Sequence, residues 1–275
     1  MNLEPGKVKQ LTEILGLGED PFGVYYTDTE PEQGFAPRPA ELPNREKEAA
    51  GEVDWASVSG NFSCVIGHLW RARKKKTAAY FAPARFGCLG GAFALGFIKP
   101  QCESVINYVS SGVPGRMEGE NYIESPEALR GIFDRLDPRP APAEWCVFKP
   151  LSLFRPGEEP EAVIFFARPE VLAGLHQLAA FVTNDPEVVT SPWGAGCYNI
   201  TAWPFHYAAR GLDKAVLGGW DPSARKYYKT DELTLAVPLR MFEKMVSRWR
   251  ESFLSQETWQ ICRKKIARSA RVWGE

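Results

Sequence analysis

The stretch Cys146-Val-Phe-Lys-Pro-Leu-Ser-Leu-Phe154, Arg155-Pro-Gly-Glu-Glu-Pro160, Ala162-Val-Ile-Phe-Phe-Ala167 and then Pro169 decides the fold class. Residues 146–154 and 162–167 are short apolar runs rich in β-branched and aromatic side chains. A turn sequence led by Pro156-Gly157 separates them. The second run is followed by proline and a helical pattern through residue 181, and proline is well placed at the first position of a helix. Two strands and a helix in immediate succession point to an interleaved chain.

The same grammar extends outward. On the N-terminal side, Val8, Leu11, Ile14 and Leu15 share one helical face within residues 7–17, and Gly16 and Gly18 stop that helix. Residues 22–26 read as a strand. Residues 27–51 are rich in Pro, Glu and Asn with Phe35 as a lone large anchor, which predicts a long surface loop or lid, partly mobile. Residues 64–73 and 91–98 read as helices, 77–81 as a short strand, and 125–136 as a helix with Ser125 as cap and Pro126 first in the turn. The proline-rich residues 137–142 make the best central boundary. On the C-terminal side, 233–237 alternate as a strand, 238–252 as a helix and 256–271 as a basic amphipathic helix. The expected fold is α/β or α+β: a mixed sheet with helices packed on it, in a single compact domain with room for sub-lobes 1–140 and 141–275.

Composition narrows the function classes. The chain has 275 residues, 33 basic against 34 acidic, 44% hydrophobic and 24% charged, and a formal net charge of −1. That is a globular balance, long enough to bury a core, and without the basic excess of a general nucleic-acid binder. No apolar run approaches the roughly 18 residues of a membrane span. Residues 1–10 lack the apolar core of a signal peptide. Six cysteines are too few for a disulfide scaffold. The expectation is a cytoplasmic protein with reduced thiols, no nucleic-acid or membrane partner, a small-molecule ligand, and room for homo-oligomers.

Three of those cysteines share a context. Cys64 lies in Ser59-Gly-Asn-Phe-Ser-Cys64, Cys88 in Arg85-Phe-Gly-Cys88-Leu-Gly-Gly91, and Cys197 in Pro192-Trp-Gly-Ala-Gly-Cys197. Each follows a glycine-containing loop and precedes an apolar, helix-like run. A helix N-terminus offers free N–H groups and a positive dipole end, which favours the thiolate, the form that binds metal and attacks electrophiles. The glycines would let the backbone approach whatever is bound. Packing alone is the other reading, since free cysteine is among the most buried residue types. Cys102, Cys146 and Cys262 lack the loop context and read as core.

The segments Leu15-Gly16-Leu17 with the 22–26 strand, Cys64, Cys88-Leu-Gly-Gly91 with Leu95-Gly96, Pro160-Glu-Ala-Val163, Gly196-Cys197, and Gly218 through Asp221, Arg225 and Pro238 carry a resemblance. The chain resembles the uncharacterised bacterial and archaeal family catalogued as domain of unknown function 169. The resemblance spans nearly the whole chain and implies cysteine at positions 64, 88 and 197. It brings no activity and no catalytic residue. Residues 27–51 and 74–76 stand outside it.

Several chemistries fit the trio. Three thiolates could hold an iron–sulfur cluster with an open iron position. Zinc on Cys64, His68, Cys88 and Cys197 is an alternative, with Cys64 and His68 four residues apart on a helix face. A metal-free binding or sensor protein, or a thiol enzyme with Cys88 as nucleophile aided by Arg85, completes the set. Around the trio, Gly90, Gly91, Trp193, Tyr198, Asp221 and Arg225 are expected to line a small-molecule pocket. Trp203 and His206 are further aromatic or polar neighbours in sequence. Gly87–Gly91 matches neither the Walker nor the dinucleotide fingerprint. The basic run Arg71, Arg73, Lys74, Lys75 and Lys76 reads first as a solvated helix end.

Overall fold

The computed structural model describes residues 5–136 and 138–273. Its strands, in chain order, are β1 (Phe22–Thr27), β2 (Ala79–Phe81), β3 (Gly112–Val113), β4 (Met117–Glu118), β5 (Trp145–Pro150), β6 (Ala162–Ala167), β7 (Val189–Thr190), β8 (Ala215–Gly218) and β9 (Leu233–Pro238). The helices are α1 (Pro5–Leu15), α2 (Arg45–Ala50), α3 (Trp55–Gly60), α4 (Val65–Lys75), α5 (Leu89–Ala94), α6 (Glu103–Val109), α7 (Pro126–Leu136), α8 (Pro169–Thr183), α9 (Gly196–Ile200), α10 (Ala202–Ala209), α11 (Leu239–Arg248) and α12 (Glu257–Trp273). Seven strands form one mixed sheet in the order β2-β5-β1-β6-β9-β8-β7, and β3 and β4 form a separate hairpin. The main ladders are antiparallel, and β7 joins β8 in parallel. The α/β reading therefore holds, in one compact domain whose sheet interleaves strands from both halves of the chain.

The central strand β6 explains the architecture. All six of its residues are buried, as expected for a strand covered on both faces. Its pleat sends Ala162, Ile164 and Phe166 into one core and Val163, Phe165 and Ala167 into another. The first core is closed by α4, α5, α7, α9 and α10, through residues such as Leu69, Phe93, Leu129, Ile200 and Phe205. The second is closed by α1, α8 and α11 through Leu11, Leu15, Leu175, Leu178, Met241 and Met245. Capping is as expected where the signals were local. The Ser125 hydroxyl accepts the Ala128 N–H at 3.2 Å, and Asn184 ends α8 in the left-handed region at φ 54°.

Three expectations are corrected and one is refined. Residues 27–51 run mostly without regular structure, as a surface loop does, but they are tethered: Phe35 bridges Ala79, the Ala40 N–H reaches the Ala84 carbonyl, and Asn44 caps the short helix α2. Backbone pairing to β2 ties the segment down in spite of its composition. The 146–154 strand stops at Pro150 and turns into a 3₁₀ segment. The 91–98 helix starts earlier and ends at Ala94, after which Gly96 takes φ +77°. Of the proposed boundary, Asp137 lies outside the described residues, while the Ala141 N–H bonds to the Gly96 carbonyl at 3.0 Å, so residue 141 is packed rather than free. Residues 1–4, the start of the 1–10 stretch that lacks the apolar core of a signal peptide, also lie outside the described residues. Among the described residues no helix is long and apolar enough to cross a membrane.

Candidate functional site

Glycines bring the three cysteine loops together, by a route the sequence reading did not foresee. Gly87 adopts φ +81°, and a Cβ there would stand 2.7 Å from the Ser63 carbonyl oxygen. The Ser63 N–H donates to the Gly87 carbonyl at 3.3 Å, which laces the Cys64 loop to the Cys88 loop. A Cβ on Gly91 would come within 2.8 Å of Val65 Cγ2, and one on Gly196 within 2.9 Å of both Ile66 Cγ1 and the Tyr228 hydroxyl. At these positions the glycines serve the approach of α4, α5 and α9 to one another, not of backbone to a ligand.

Cys64 and Cys88 are the residues capping α4 and α5, and Cys197 lies one residue inside α9. Cys88 Sγ accepts the Gly91 N–H at 3.2 Å, an N-cap bond. The three thiols are near enough to act on one another electrostatically: a charge on Cys64 disfavours ionisation of Cys88, and charges on both disfavour that of Cys197.

Burial works against the thiolate expectation. Burial, the largest influence on each, pushes all three thiols up, Cys88 to about 12. Backbone N–H donors at Cys64 and Cys88 pull the other way and lose. Two of the helices are short, α5 with six residues and α9 with five, so their dipole ends are weak beside the cost of desolvating a charge. All six cysteines are free. Among the described residues, no group of three or more His, Cys, Asp or Glu is arranged to hold a metal ion.

His68 does not join the trio. Its Nε2 meets Ser63 Oγ at 3.1 Å and its ring stands edge-on to Phe81. Burial pushes its pKa down to about 4, with Arg71 adding to the effect. The four-residue spacing fails because Cys64, as the cap, has extended backbone at ψ 136° and is outside the helical face. Arg85 donates to the Pro37 carbonyl at 3.1 Å.

Beside the thiols is a cavity of about 440 Å³. Four of the six expected pocket residues line it: Gly90, Trp193, Tyr198 and Asp221. Gly91 is buried against Cys88 instead. Arg225 is a structural clamp, its guanidinium bonded to the carbonyls of Gly219, Lys229, Thr230 and Glu232 at 2.7–3.2 Å. Asp221 links cavity and thiols. Its Oδ2 accepts the Gly196 N–H at 3.2 Å at the start of α9, while Oδ1 accepts the Ser223 N–H and hydroxyl at 2.9 and 2.8 Å. It also disfavours ionisation of all three cysteines.

The remaining wall came without warning from the sequence reading. Glu120 and Tyr122 follow the β3–β4 hairpin, whose strands have two residues each and leave no periodic trace. The Pro114-Gly115 dipeptide was the one signal that could have marked it. Trp220 precedes Asp221, and its indole N–H donates to Ser191 Oγ at 2.9 Å. Phe133 of α7 stacks on Tyr198 with centroids 6.1 Å apart and planes 20° apart. Trp203 supports the wall from behind, its indole N–H bonded to the Trp193 carbonyl at 3.0 Å. His206 is engaged with the Leu136 carbonyl.

The basic run is not uniformly a solvated helix end. Arg73 is 7% exposed and pairs with Glu19 and with Glu232, itself 1% exposed, while Lys74 stands over the Trp70 ring at 4.2 Å. A larger surface groove of about 760 Å³ runs past Arg73 on the α1 side, but its deepest charges are already paired within the fold.

No curated protein and no solved structure matches this chain. A family model described as an uncharacterised ArCR family matches residues 10–248, from within α1 to the end of α11 and across every element of the site. The chain belongs to the family of domain of unknown function 169.

Proposed function

We propose that this protein binds a small organic molecule in the aromatic cavity beside Cys64, Cys88 and Cys197. The observation that carries the reading is the cavity itself: about 440 Å³, within the range of small-molecule sites, with aromatic walls and few polar groups. Its walls come from α5, α6, α7, the segment after the β3–β4 hairpin, the stretch around the start of α9 and the loop after β8, so the whole fold assembles it. Free, un-ionised thiols beside it fit a reducing compartment such as the cytoplasm.

A second reading keeps the cysteine trio as a centre for a thiophilic metal or an iron–sulfur cluster. It is favoured by the mutual electrostatic reach of the three thiols. Its support ends there, because among the described residues no group of three or more His, Cys, Asp or Glu is placed to hold a metal ion.

Gly90 supplies the test. It lines the cavity, and a Cβ there would meet no heavy atom within 4 Å. Gly90→Leu therefore adds a bulky side chain at the cavity wall from a Cβ position that meets nothing. A mixed-charge fragment set is screened by ligand-observed NMR against both proteins. Hits on the wild type that vanish with Gly90→Leu support the cavity reading, and hits indifferent to the substitution overturn it. Oxygen-free purification followed by iron, sulfide and zinc analysis tests the second reading, which falls if no stoichiometric metal is found after reconstitution.

A further inference from the structure

We propose that the ligand of this cavity is an organic cation, an ammonium-bearing molecule held by the Glu120 and Asp221 carboxylates and by the rings of Trp193, Trp220 and Tyr122. The inference rests on the reading of the cavity as a binding site and names the class of molecule that would occupy it.

The charge inventory comes first. Glu120 and Asp221 line the cavity, and no lysine, arginine or histidine does. Neither carboxylate has an ion-pair partner among the described residues. The Glu120 backbone N–H donates to the Tyr108 carbonyl at 2.7 Å, and Asp221 is held by neutral donors from Gly196 and Ser223. Arg225, the nearest guanidinium in sequence, has its N–H groups committed to four backbone carbonyls. Two like charges sharing a desolvated wall repel, and a cation between them relieves the repulsion.

Two buried amides next to the wall carry orphaned acceptors. Gln101, 1% exposed, donates to the Leu89 carbonyl at 3.1 Å yet leaves Oε1 without a donor. Asn199, also 1% exposed, donates to the Pro192 carbonyl of the wall yet leaves Oδ1 without a donor. Neither residue lines the cavity itself, so the charge on the wall is that of the two carboxylates. An anionic ligand would find no counter-charge here and would add to the repulsion.

The rim matches the same chemistry. Tyr122, Trp193 and Trp220, with Tyr108 beside Glu120, are 39–55% exposed, an unusual clustering of open aromatic rings at one mouth. Exposing such rings costs solvation unless something covers them. The face of an indole or phenol ring attracts a cation through its quadrupole, most strongly where water is excluded. The Trp220 bond to Ser191 pre-sets one ring, which lowers the ordering cost of binding.

The test uses the full chain and three probes of one shape: choline, the uncharged 3,3-dimethylbutan-1-ol and the anionic 3,3-dimethylbutanoate. Affinities are read by NMR from ligand signals and indole shifts. Choline is expected to bind about tenfold tighter than its uncharged mate, with no binding of the anion. Glu120→Gln is expected to weaken choline about fivefold or more while leaving the alcohol unchanged, and Tyr122→Leu to act in the same direction. Equal affinity for choline and the alcohol, or indifference of choline to both substitutions, overturns the inference. If the alcohol or the anion binds the wild type and not Gly90→Leu, the cation fails and the cavity reading stands. If none of the three binds and no fragment of any charge does, both fall.

Discussion

The two faces of the sheet make a controlled comparison within one chain. Strand β6 contributes alternate residues to each, so both faces share a backbone and a degree of burial. The face toward α1, α8 and α11 is filled by leucine, valine, methionine and phenylalanine and packs as an ordinary helix layer. The face toward α4, α5 and α9 holds the three cysteine loops, the glycine contacts and the cavity. The buried side-chain atoms left without partners, on His68, Gln101, Asn199, Tyr228 and Thr234, belong to elements of that second face or point into it. Unmatched buried polar groups each cost about 1–3 kcal/mol. Both faces bury a large apolar core, and the second also carries unmatched polar groups beside a cavity.

That contrast is open to attack, the largest expected effect first. The site-face thiols are un-ionised at pH 8, so alkylation of Cys88, whose thiol is pushed up to about 12, should be slower in the native protein than in the urea-unfolded chain by about a thousandfold. Mass-spectrometric timing of iodoacetamide labelling decides it; rapid native labelling of Cys88 would mean that the helix ends outweigh burial after all. On the packing face, Leu175→Ala removes a fully buried side chain and should cost about 2–5 kcal/mol in chemical denaturation. Ligand affinity measured where the variant stays folded should not move, and a parallel loss of affinity would show that the faces are coupled.

Acid should act on the site face through His68. Its folded pKa of about 4 lies below the ordinary 6.5 because burial disfavours the imidazolium. Protonation thus favours the unfolded chain: the stability due to neutral His68 is complete above pH 6.5 and is lost as the pH falls toward 4. The swing is up to about 3 kcal/mol. Urea midpoints of wild type and His68→Gln between those limits should converge as the pH falls, and parallel curves would refute the assignment. The smallest effects separate two glycines. Gly87→Ala meets the Ser63 carbonyl at positive φ and should lose about 1–3 kcal/mol. Gly90→Leu, in a regular turn of α5 with open space, should be neutral or gain up to about 1 kcal/mol from helix propensity. Thermal melts of the pair check the sign of each.

What was legible in sequence was what local patterns specify. The apolar run of β6, the proline-led α8 and the Ser125 cap were all found where they were expected, because period, cap chemistry and proline act over a few residues. Cys64 and Cys88 at the heads of helices were legible for the same reason. The β3–β4 hairpin with Glu120 and Tyr122, the tethering of Phe35 to Ala79 and the burial of Arg73 between Glu19 and Glu232 were not. Each depends on a partner at least 40 residues away, except the hairpin, which is too short to carry a period.

The sequence by itself determined the interleaved class, α/β or α+β, five of the seven strands of the sheet, the cysteine loops and four residues of the cavity wall. The tertiary structure alone decided what those parts do. It turned glycines expected to admit a ligand into contacts between helices, because a missing Cβ serves whichever surface arrives. It placed the cysteines where burial opposes the thiolate, because burial acts on the charge more strongly than a short helix end does. It also set Glu120 and Asp221, 101 residues apart in the numbering, on one aromatic wall, and no local pattern encodes a juxtaposition made by the whole chain.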